Sequence, residues 1–187
     1  MAGRILDTRT LNRALLARQL LLERRNRSIT RAVEMVGGLQ TQYAPSAYIG
    51  LWSRLDGFSR PQLTWALEQG VVIQGTLMRV TIHMVSAHDY PLLTEAVRRS
   101  RQEWWLRVAR GRALDPAGHI EVASILREAL LDGPKTRAQL VEILVGNGFS
   151  KEFWEGAGLW IDMIRVTPSG TWERRRADLY GWRRPGR

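Results

Sequence analysis

The sequence of 187 residues contains no cysteine. That absence excludes disulfides, catalysis by a cysteine thiolate and cysteine-ligated zinc, and it is typical of proteins in a reducing cytoplasm. Long apolar runs are also absent, because no stretch approaches the roughly 18 residues that cross a bilayer. Residues 1–7 lack the apolar centre of a secretory signal. We therefore expect a cytoplasmic protein with no membrane partner.

The familiar signatures of nucleotide, cofactor and metal sites are missing as well. The chain contains neither a Walker loop nor a glycine-rich dinucleotide fingerprint. Its three histidines, His83, His88 and His119, do not follow i, i+4 spacing, and there is no HExxH motif. A lone histidine on a strand is more often packed or hydrogen-bonded than a metal ligand, and we interpret His83 that way. The expectation is a protein with no metal and no organic cofactor.

Positive charge is what the chain has in excess. Lysine and arginine number 28 against 18 aspartates and glutamates, which gives a net charge of +10, and almost all of the cations are arginine. Guanidinium groups bind phosphate oxygens through two parallel hydrogen bonds and stack on bases, so this balance favours a nucleic acid as partner. Acidic proteins and anionic membranes are the other polyanions it would suit. Arginine-rich codon usage is the alternative explanation of the charge.

Hydrophobic periodicity predicts that a similar order of helices and strands occurs twice along the chain, in a first and a second pass. The first pass contains four helices, two β-branched strands and a long helix, at 10–22, 29–36, 44–55, 59–70, 71–74, 81–85 and 90–110. Glycines and a proline at 111–118 then interrupt the helical pattern. The second pass contains three helices and a β-hairpin, at 119–131, 136–145, 151–160, 161–166 and 171–174.

Three helices followed by a hairpin is the element order of a winged helix, and the order occurs loosely twice. The predicted fold is therefore mainly α with small β-hairpins, arranged as tandem winged-helix modules of the helix-turn-helix type. The first module would occupy residues 1–112 and the second residues 113–187. Trp52, Trp65 and Trp160 recur at helical spacing with other apolar residues, and we predict that they are core residues.

An uncommon pair of glutamines, Gln40 and Gln42, follows the predicted helix exit at Gly37 and Gly38. Glutamine is uncharged and acts only by donating and accepting hydrogen bonds. From the residues alone, these side chains would most simply bond the backbone of a loop. The alternative is that the two amides hold a polar ligand or a water molecule.

Two arginine clusters are candidate phosphate-binding sites. One surrounds the adjacent pair Trp104 and Trp105 on the long helix, where aromatic rings interleaved with cations are typical of a nucleic-acid surface. A solvated helix face is an equally good interpretation of that cluster. The predicted phosphate contacts from the two clusters are Arg98, Arg99, Arg101, Arg174, Arg175 and Arg176.

Five segments carry a resemblance to a known family. They are LNRALLARQ at 11–19, GLQTQ at 38–42, LWSRL at 51–55, LMRVTIHMVS at 77–86 and, more weakly, TPSGTW at 167–172. On these segments the chain resembles the AlkZ/YcaQ-like winged-helix DNA glycosylases, which release alkylated bases and unhook interstrand crosslinks. Family members are usually longer, and this chain would correspond to their first two modules.

The resemblance implies roles for particular residues. The family's catalytic glutamine–x–glutamine motif falls on Gln40 and Gln42, and residues Arg79, Thr81 and His83 are expected near the DNA. Two positions depart from the family pattern. Thr41 stands where the middle residue is usually aliphatic, and Val80 stands where glycine is common.

The function implied is that of a monofunctional glycosylase, which hydrolyses the N-glycosidic bond of bulky N7-alkylated purines or crosslinked bases in double-stranded DNA. Such a protein would be cytoplasmic and associated with the nucleoid. Alkylation at N7 makes the purine cationic, so the base departs without a proton and a strong general base is dispensable. The alternative is a non-enzymatic DNA-binding protein, either a regulator whose helix at 44–55 reads the major groove or a truncated, inactive paralogue.

Overall fold

The computed structural model describes residues 5–111, 114–176 and 178–183. The helices of this described part are α1 Thr8–Arg18, α2 Ile29–Val36, α3 Pro45–Trp52, α4 Arg60–Glu68, α5 Tyr90–Val108, α6 Pro116–Ala129, α7 Arg137–Gly146 and α8 Trp154–Ala157. The strands are β1 Leu39–Gln40, β2 Val72–Thr76, β3 Ile82–Ser86, β4 Lys135–Thr136, β5 Met163–Arg165 and β6 Leu179–Trp182. The predicted mainly helical character is confirmed. No helix of the described part is both long and apolar enough to cross a bilayer.

The strands form one antiparallel sheet in the order β1-β3-β2-β5-β6-β4 across the described ranges. The strands of the β2–β3 hairpin are neighbours in this order. Strand β2 also pairs with β5, with Gln74 opposite Arg165 and Gly75 opposite Ile164. The strand pairs β2–β3 and β5–β6 are therefore joined into a common sheet. An isolated hairpin leaves a row of unpaired backbone groups on each edge, and the β2–β5 ladder satisfies part of that row.

The predicted second strand at 171–174 is wrong. The partner of β5 is instead β6, with Met163 opposite Trp182, while residues 167–174 form turns and bends. Two hydroxyls hold this turn. Ser169 Oγ accepts from the backbone N–H of Asp178 at 2.7 Å, and Thr171 Oγ1 donates to the carbonyl of Pro168 at 2.8 Å. Hydroxyl bonds to nearby backbone offer the chain an alternative to a strand, and here that alternative prevails.

The predicted helix at 151–160 is much shorter in the structure. A 3₁₀ turn, Lys151–Phe153, leads into the single turn of α8. Gly156 lies in α8 directly against the indole of Trp105, where a Cβ would lie 2.6 Å from Cε2 of that ring. A glycine at this position permits the close approach and also weakens the helix, because glycine loses more backbone entropy than other residues.

Two main groups of buried side chains support the sheet. The first core lies among α2, α3, α4, β2 and β3, and its largest fully buried members include Tyr48, Leu51 and Leu63. The second core lies among α6, α7, α8, β5 and β6 and includes Leu126 and Leu140. Trp172, on the turn described above, packs against the first core although it belongs to the second half of the sequence.

Candidate active site

The glutamine segment is positioned by the end of α2. Ser28 caps the start of that helix, where its Oγ accepts from the N–H of Arg31 at 3.2 Å, and Gly37 ends it with a φ of +71°. Gly38 follows with a φ of +96°, and a Cβ on it would lie 2.8 Å from Cγ1 of Val85. Only glycine combines this backbone conformation with so close an approach to β3. The chain therefore turns from α2 directly onto the sheet as β1.

Residues 39–42 follow the alternation of a strand at the edge of the sheet. Leu39 lies opposite Met84 and Gln40 opposite His83, and the N–H of Thr41 continues the ladder by donating to the carbonyl of Ile82 at 2.8 Å. Leu39 and Thr41 are buried, while Gln40 and Gln42 are exposed. Gln40 ends β1 and Gln42 lies in the bend that follows, so two exposed amides stand one residue apart at this edge of the sheet. We call this exposed pair, Gln40 and Gln42, the glutamine face.

The two glutamines differ in their hydrogen bonding. Oε1 of Gln42 accepts from the backbone N–H of Ile82 at 3.0 Å, which fixes the orientation of the amide. An amide oxygen has two acceptor sites, so a second one remains for another donor. The side chain of Gln40 makes no hydrogen bond within the described ranges. Gln42 thus bonds backbone, as the simplest interpretation of the sequence expected, and its amide also keeps groups available to a ligand.

The two departures from the family pattern have structural consequences. Thr41 is 3% exposed, and its Oγ1 has no hydrogen-bond partner in the described part of the chain. An aliphatic residue would fill the same apolar position without an unpaired hydroxyl. Val80 has a φ of +57°, which is strained for a β-branched residue and unstrained for glycine. Both residues therefore occupy positions that the usual family residue would fit with less strain or fewer unpaired groups.

The β2–β3 connection carries the residues expected near DNA. Arg79 is exposed and has a φ of +53°. Thr81 Oγ1 donates to the carbonyl of Met78 at 3.1 Å. His83 is 5% exposed, and its Nδ1 lies 3.0 Å from the carbonyl oxygen of Thr81. Because that oxygen only accepts, this hydrogen bond requires a proton on Nδ1. His83 is thus a hydrogen-bonded residue of β3, opposite Gln40 in the ladder.

The arginines of α5 are largely engaged with the protein. Arg98 forms ion pairs with Glu95 at 2.9 Å and Asp162 at 3.1 Å, and Arg99 pairs with Glu103 at 2.7 Å.

Arg101 differs from its neighbours on α5 because it is only 5% exposed and donates through Nη1 to the carbonyl of Thr76. Burial lowers the pKa of its guanidinium, and the nearby charge of Arg98 lowers it further. A buried group of this kind is not available to a phosphate, so the expectation of a DNA contact is dropped for Arg101.

In the second arginine cluster, too, some side chains are ion-paired with acidic residues and others are bonded differently. Asp178 pairs with both Arg174 and Arg176, each at 3.2 Å. Arg175 instead donates from Nη1 to the hydroxyl of Tyr43 at 3.0 Å. Tyr43 directly follows Gln42, so this contact joins the second half of the sequence to the residue next to the glutamine face in the chain. Sequence reasoning singled out Arg175 but not this contact, because 132 positions separate the two residues.

Beside that contact lies an aromatic cavity of about 340 Å³. Its lining residues, here called the aromatic pocket, are Tyr48, Ile49, Trp52, Phe58, Arg60 and Trp172. Trp52 is 55% exposed and Trp65, on α4, is 59% exposed, so the prediction that both are core residues is wrong. Helical spacing alone did not reveal that α3 and α4 carry more apolar surface than neighbouring elements cover. Trp160 is buried as predicted.

Comparison with known proteins agrees with this architecture. A family model described as DNA glycosylase AlkZ-like matches residues 33–183. A solved structure, the Streptomyces sahachiroi DNA glycosylase AlkZ, superposes with a TM-score of 0.70 at 15% sequence identity, covering 89% of this chain and 47% of that one. The chain thus spans about half the length of this solved relative. A search of curated proteins finds no significant match.

The family match covers the glutamine face, the β2–β3 connection and the turn that carries Trp172. The structural likeness at low identity supports the fold over the same region. Because the matched range extends over most of the 187 residues, the chain belongs to the AlkZ-like DNA glycosylase family.

Proposed function

We propose that this chain binds double-stranded DNA and acts as a monofunctional glycosylase on bulky N7-alkylated purines or interstrand crosslinks. Membership of the AlkZ-like family supports a glycosylase role. The proposal includes two winged-helix modules, residues 1–112 and 113–187, with the catalytic residues in the first. Because the chain spans 47% of its solved relative, the activity of this chain by itself is part of what we propose.

The observation that carries the proposal is the geometry of the glutamine face. Two neutral, exposed amides stand at the end of an edge strand and in the bend that follows it, and the N–H of Ile82 anchors the amide of Gln42. An anchored amide is oriented before substrate arrives, so it need not reorganise during the reaction. The exposure of both side chains leaves room for a water molecule and a sugar.

The chemistry requires little acid–base assistance. The bond between C1′ and the purine nitrogen breaks, and its electron pair leaves with the base and neutralises the positive charge of the alkylated ring. The oxygen of a water molecule forms the new bond to C1′ and releases its proton to solvent. Gln40 and Gln42 cannot take up that proton, and we assign them the tasks of orienting the water and facing the cationic sugar with carbonyl dipoles.

The proposed DNA interface surrounds the glutamine face. Arg79, Thr81 and His83 belong to it by resemblance, and Arg175 is supported by its bond to Tyr43 beside Gln42. The ion-paired arginines Arg98, Arg99, Arg174 and Arg176 remain candidates. Surface ion pairs contribute only about 0–1 kcal/mol, so a phosphate can displace their acidic partners.

Single-turnover release of an N7-alkylguanine from duplex DNA tests the proposal. Gln42→Ala should reduce the rate about 10²- to 10³-fold, as is usual for a preorganised polar group at a transition state. Duplex affinity should stay within a few-fold, since one hydrogen bond nets about 0.5–1.5 kcal/mol. Gln40→Ala should also reduce the rate. Gln69→Ala is the matched control, because Gln69 is an exposed glutamine at the end of α4.

Several outcomes would contradict the proposal. Full activity in both Gln40→Ala and Gln42→Ala would exclude catalysis by the glutamine face. Loss of activity together with an equal loss of thermal stability would assign the amides a structural role. A wild-type chain that binds duplex DNA and releases no base would be the non-enzymatic alternative.

That alternative receives no support from α3, the helix expected to read the major groove. Its exposed side chains are Ser46, Ile49 and Trp52. Bidentate direct readout relies on arginine, lysine, asparagine and glutamine side chains, and among the exposed side chains of α3 only Ser46 can bond a base edge. An apolar face of this kind suits stacking better than base-edge recognition.

A further inference from the structure

The aromatic pocket is built by two distant parts of the sequence. The helix α3 contributes Tyr48, Ile49 and Trp52, and the turn at 167–174 contributes Trp172. The rings of Tyr48 and Trp172 meet edge to face, with centroids 5.7 Å apart. The cavity volume of about 340 Å³ lies at the small end of the range for ligand pockets. Flat rings and an aliphatic side chain make up most of the lining.

The turn that supplies Trp172 is held rigidly. Ser169 and Thr171 are 3% and 1% exposed, and their hydroxyls bond the backbone within the turn. Ser169 Oγ also accepts from the N–H of Leu179 at 3.0 Å, which fastens the turn to β6. Nε2 of Gln74 donates to the carbonyl of Gly170 at 3.3 Å, which fastens it to β2. These bonds fix the position of Trp172 before any ligand arrives. The segment at 167–172 therefore holds Trp172, a role separate from the proposed catalysis.

Three guanidinium groups surround the pocket. Arg24 lies 4.0 Å from the ring centroid of Trp52, Arg60 lies 5.0 Å from that of Trp172, and Arg175 lies 5.7 Å from the same ring. None of the three forms an ion pair within the described ranges, in contrast to the arginines on α5. Their charges are therefore uncompensated, next to exposed aromatic surface. The complementary ligand has a planar aromatic ring and an adjacent negative charge.

We propose that the aromatic pocket takes one unstacked nucleobase of a DNA strand and that Arg24, Arg60 and Arg175 bind the phosphates beside it. This inference rests on the proposed DNA-binding function and adds a second binding site to it. Arg175, whose guanidinium lies near the ring of Trp172, also bonds the hydroxyl of Tyr43, the residue that follows Gln42 in the chain. A base held there would keep the duplex locally opened beside the lesion. Because the lining offers ring faces and few base-edge partners, the pocket should accept any base.

The test compares binding of two unmodified duplexes, one with a single extrahelical thymine and one fully paired. Wild type should bind the bulged duplex about 5- to 100-fold more tightly, the range expected for stacking of one base on aromatic side chains. Trp52→Ala should remove that preference, and Trp52→Phe should retain most of it. The matched control is Trp65→Ala, which removes an equally exposed tryptophan that lies outside the pocket.

Equal binding of the two duplexes by wild type would overturn the inference, as would an equal loss of preference in Trp65→Ala. If Trp52→Ala lowers the melting temperature, Arg60→Gln decides instead, because it removes a charge from the pocket while leaving its rings. Base release is measured in parallel on alkylated duplex. A chain that prefers the bulge but releases no base supports the pocket and contradicts the glycosylase proposal. One that releases base without any preference contradicts the pocket alone.

Discussion

The aromatic pocket and the α5 region both combine tryptophan with basic side chains, yet they use them in opposite ways. We use the name α5 region for α5, α6, α8 and the residues packed between them. In the pocket, Trp52 and its arginine neighbour Arg24 are exposed. In the α5 region, His119 stacks on Trp160 with ring centroids 3.9 Å apart, and both residues are buried.

The two regions differ in the exposure and the hydrogen bonding of their polar atoms. Both ring nitrogens of His119, Nε1 of Trp105 and Nε of Arg101 are buried without a hydrogen-bond partner in the described part of the chain. Burying such atoms is unfavourable unless packing, or another hydrogen bond of the same side chain, compensates for it. The guanidinium groups around the pocket are exposed and form no ion pair within the described ranges. Substitutions of the same type should therefore affect stability in one region and DNA binding in the other.

The largest contrast is expected from two glycine-to-alanine changes. Gly156→Ala would place a Cβ 2.6 Å from Cε2 of Trp105 and 3.0 Å from Cε1 of His119. Overpacking of this kind should lower the free energy of unfolding by about 1–3 kcal/mol. Gly50→Ala on α3 places its Cβ at an ordinary 3.4 Å from Leu39 and should raise that free energy by about 0.4–1 kcal/mol. Urea denaturation of both variants measures the difference, and changes of the same sign would contradict it.

A second contrast compares two arginines. Arg101→Ala should lower the free energy of unfolding by about 1.5–3 kcal/mol, because it removes a hydrogen bond from a charged group and leaves the carbonyl of Thr76 unpaired. Arg175→Ala, on the exposed turn, should change it by less than about 0.5 kcal/mol. Thermal and urea unfolding measure both. If Arg175→Ala proved the more destabilising, the turn that carries Trp172 would depend on this side chain.

The buried histidine predicts a dependence of stability on pH. Burial lowers the pKa of His119 below its usual 6.5, an effect that the charge of Asp115 opposes. The unfolded chain then binds a proton at a higher pH than the folded chain does, so stability is greatest above pH 6.5 and falls as the pH decreases below it. The melting temperature should therefore be lower at pH 5.5 than at pH 7.5. His119→Phe should flatten that profile.

Local signals explain which elements the sequence predicts well. The bounds of α2 follow from the Ser28 cap and from the left-handed glycine that ends the helix, and both devices act within one turn of the residues that carry them. The strands β2 and β3 follow from runs of β-branched residues joined by a short connection. The glutamine segment was identified through its resemblance to the family, and its alternation on an edge strand came only from the ladder with β3.

Contacts between residues far apart in the sequence explain where the predictions from sequence are wrong. The strand predicted at 171–174 is a turn because the hydroxyl of Ser169 bonds Asp178 and Leu179 further along the chain. Trp52 is exposed because the apolar surface of α3 exceeds what its neighbours cover. Arginine clusters along the sequence do not show which cations are already paired, since the partner of Arg98 is Asp162 on another segment. None of these contacts has a signature within the local sequence.

The smallest effect, and the sharpest test of the comparison, is the salt dependence of duplex binding. Each phosphate contact adds about 0.9 to the slope of log affinity against log salt concentration, because binding releases a condensed counterion. Arg175→Gln should reduce the slope by about that amount, since Arg175 has no acidic partner within the described ranges and lies beside Gln42 through Tyr43. Arg98→Gln should reduce it by less than half as much, because Asp162 and Glu95 already compensate its charge. Titrations at several salt concentrations measure both slopes, with melting temperatures as the control for folding. An equal reduction in the two variants would show that Arg98 contacts a phosphate as fully as Arg175 does, and no salt dependence in wild type would exclude phosphate contacts altogether.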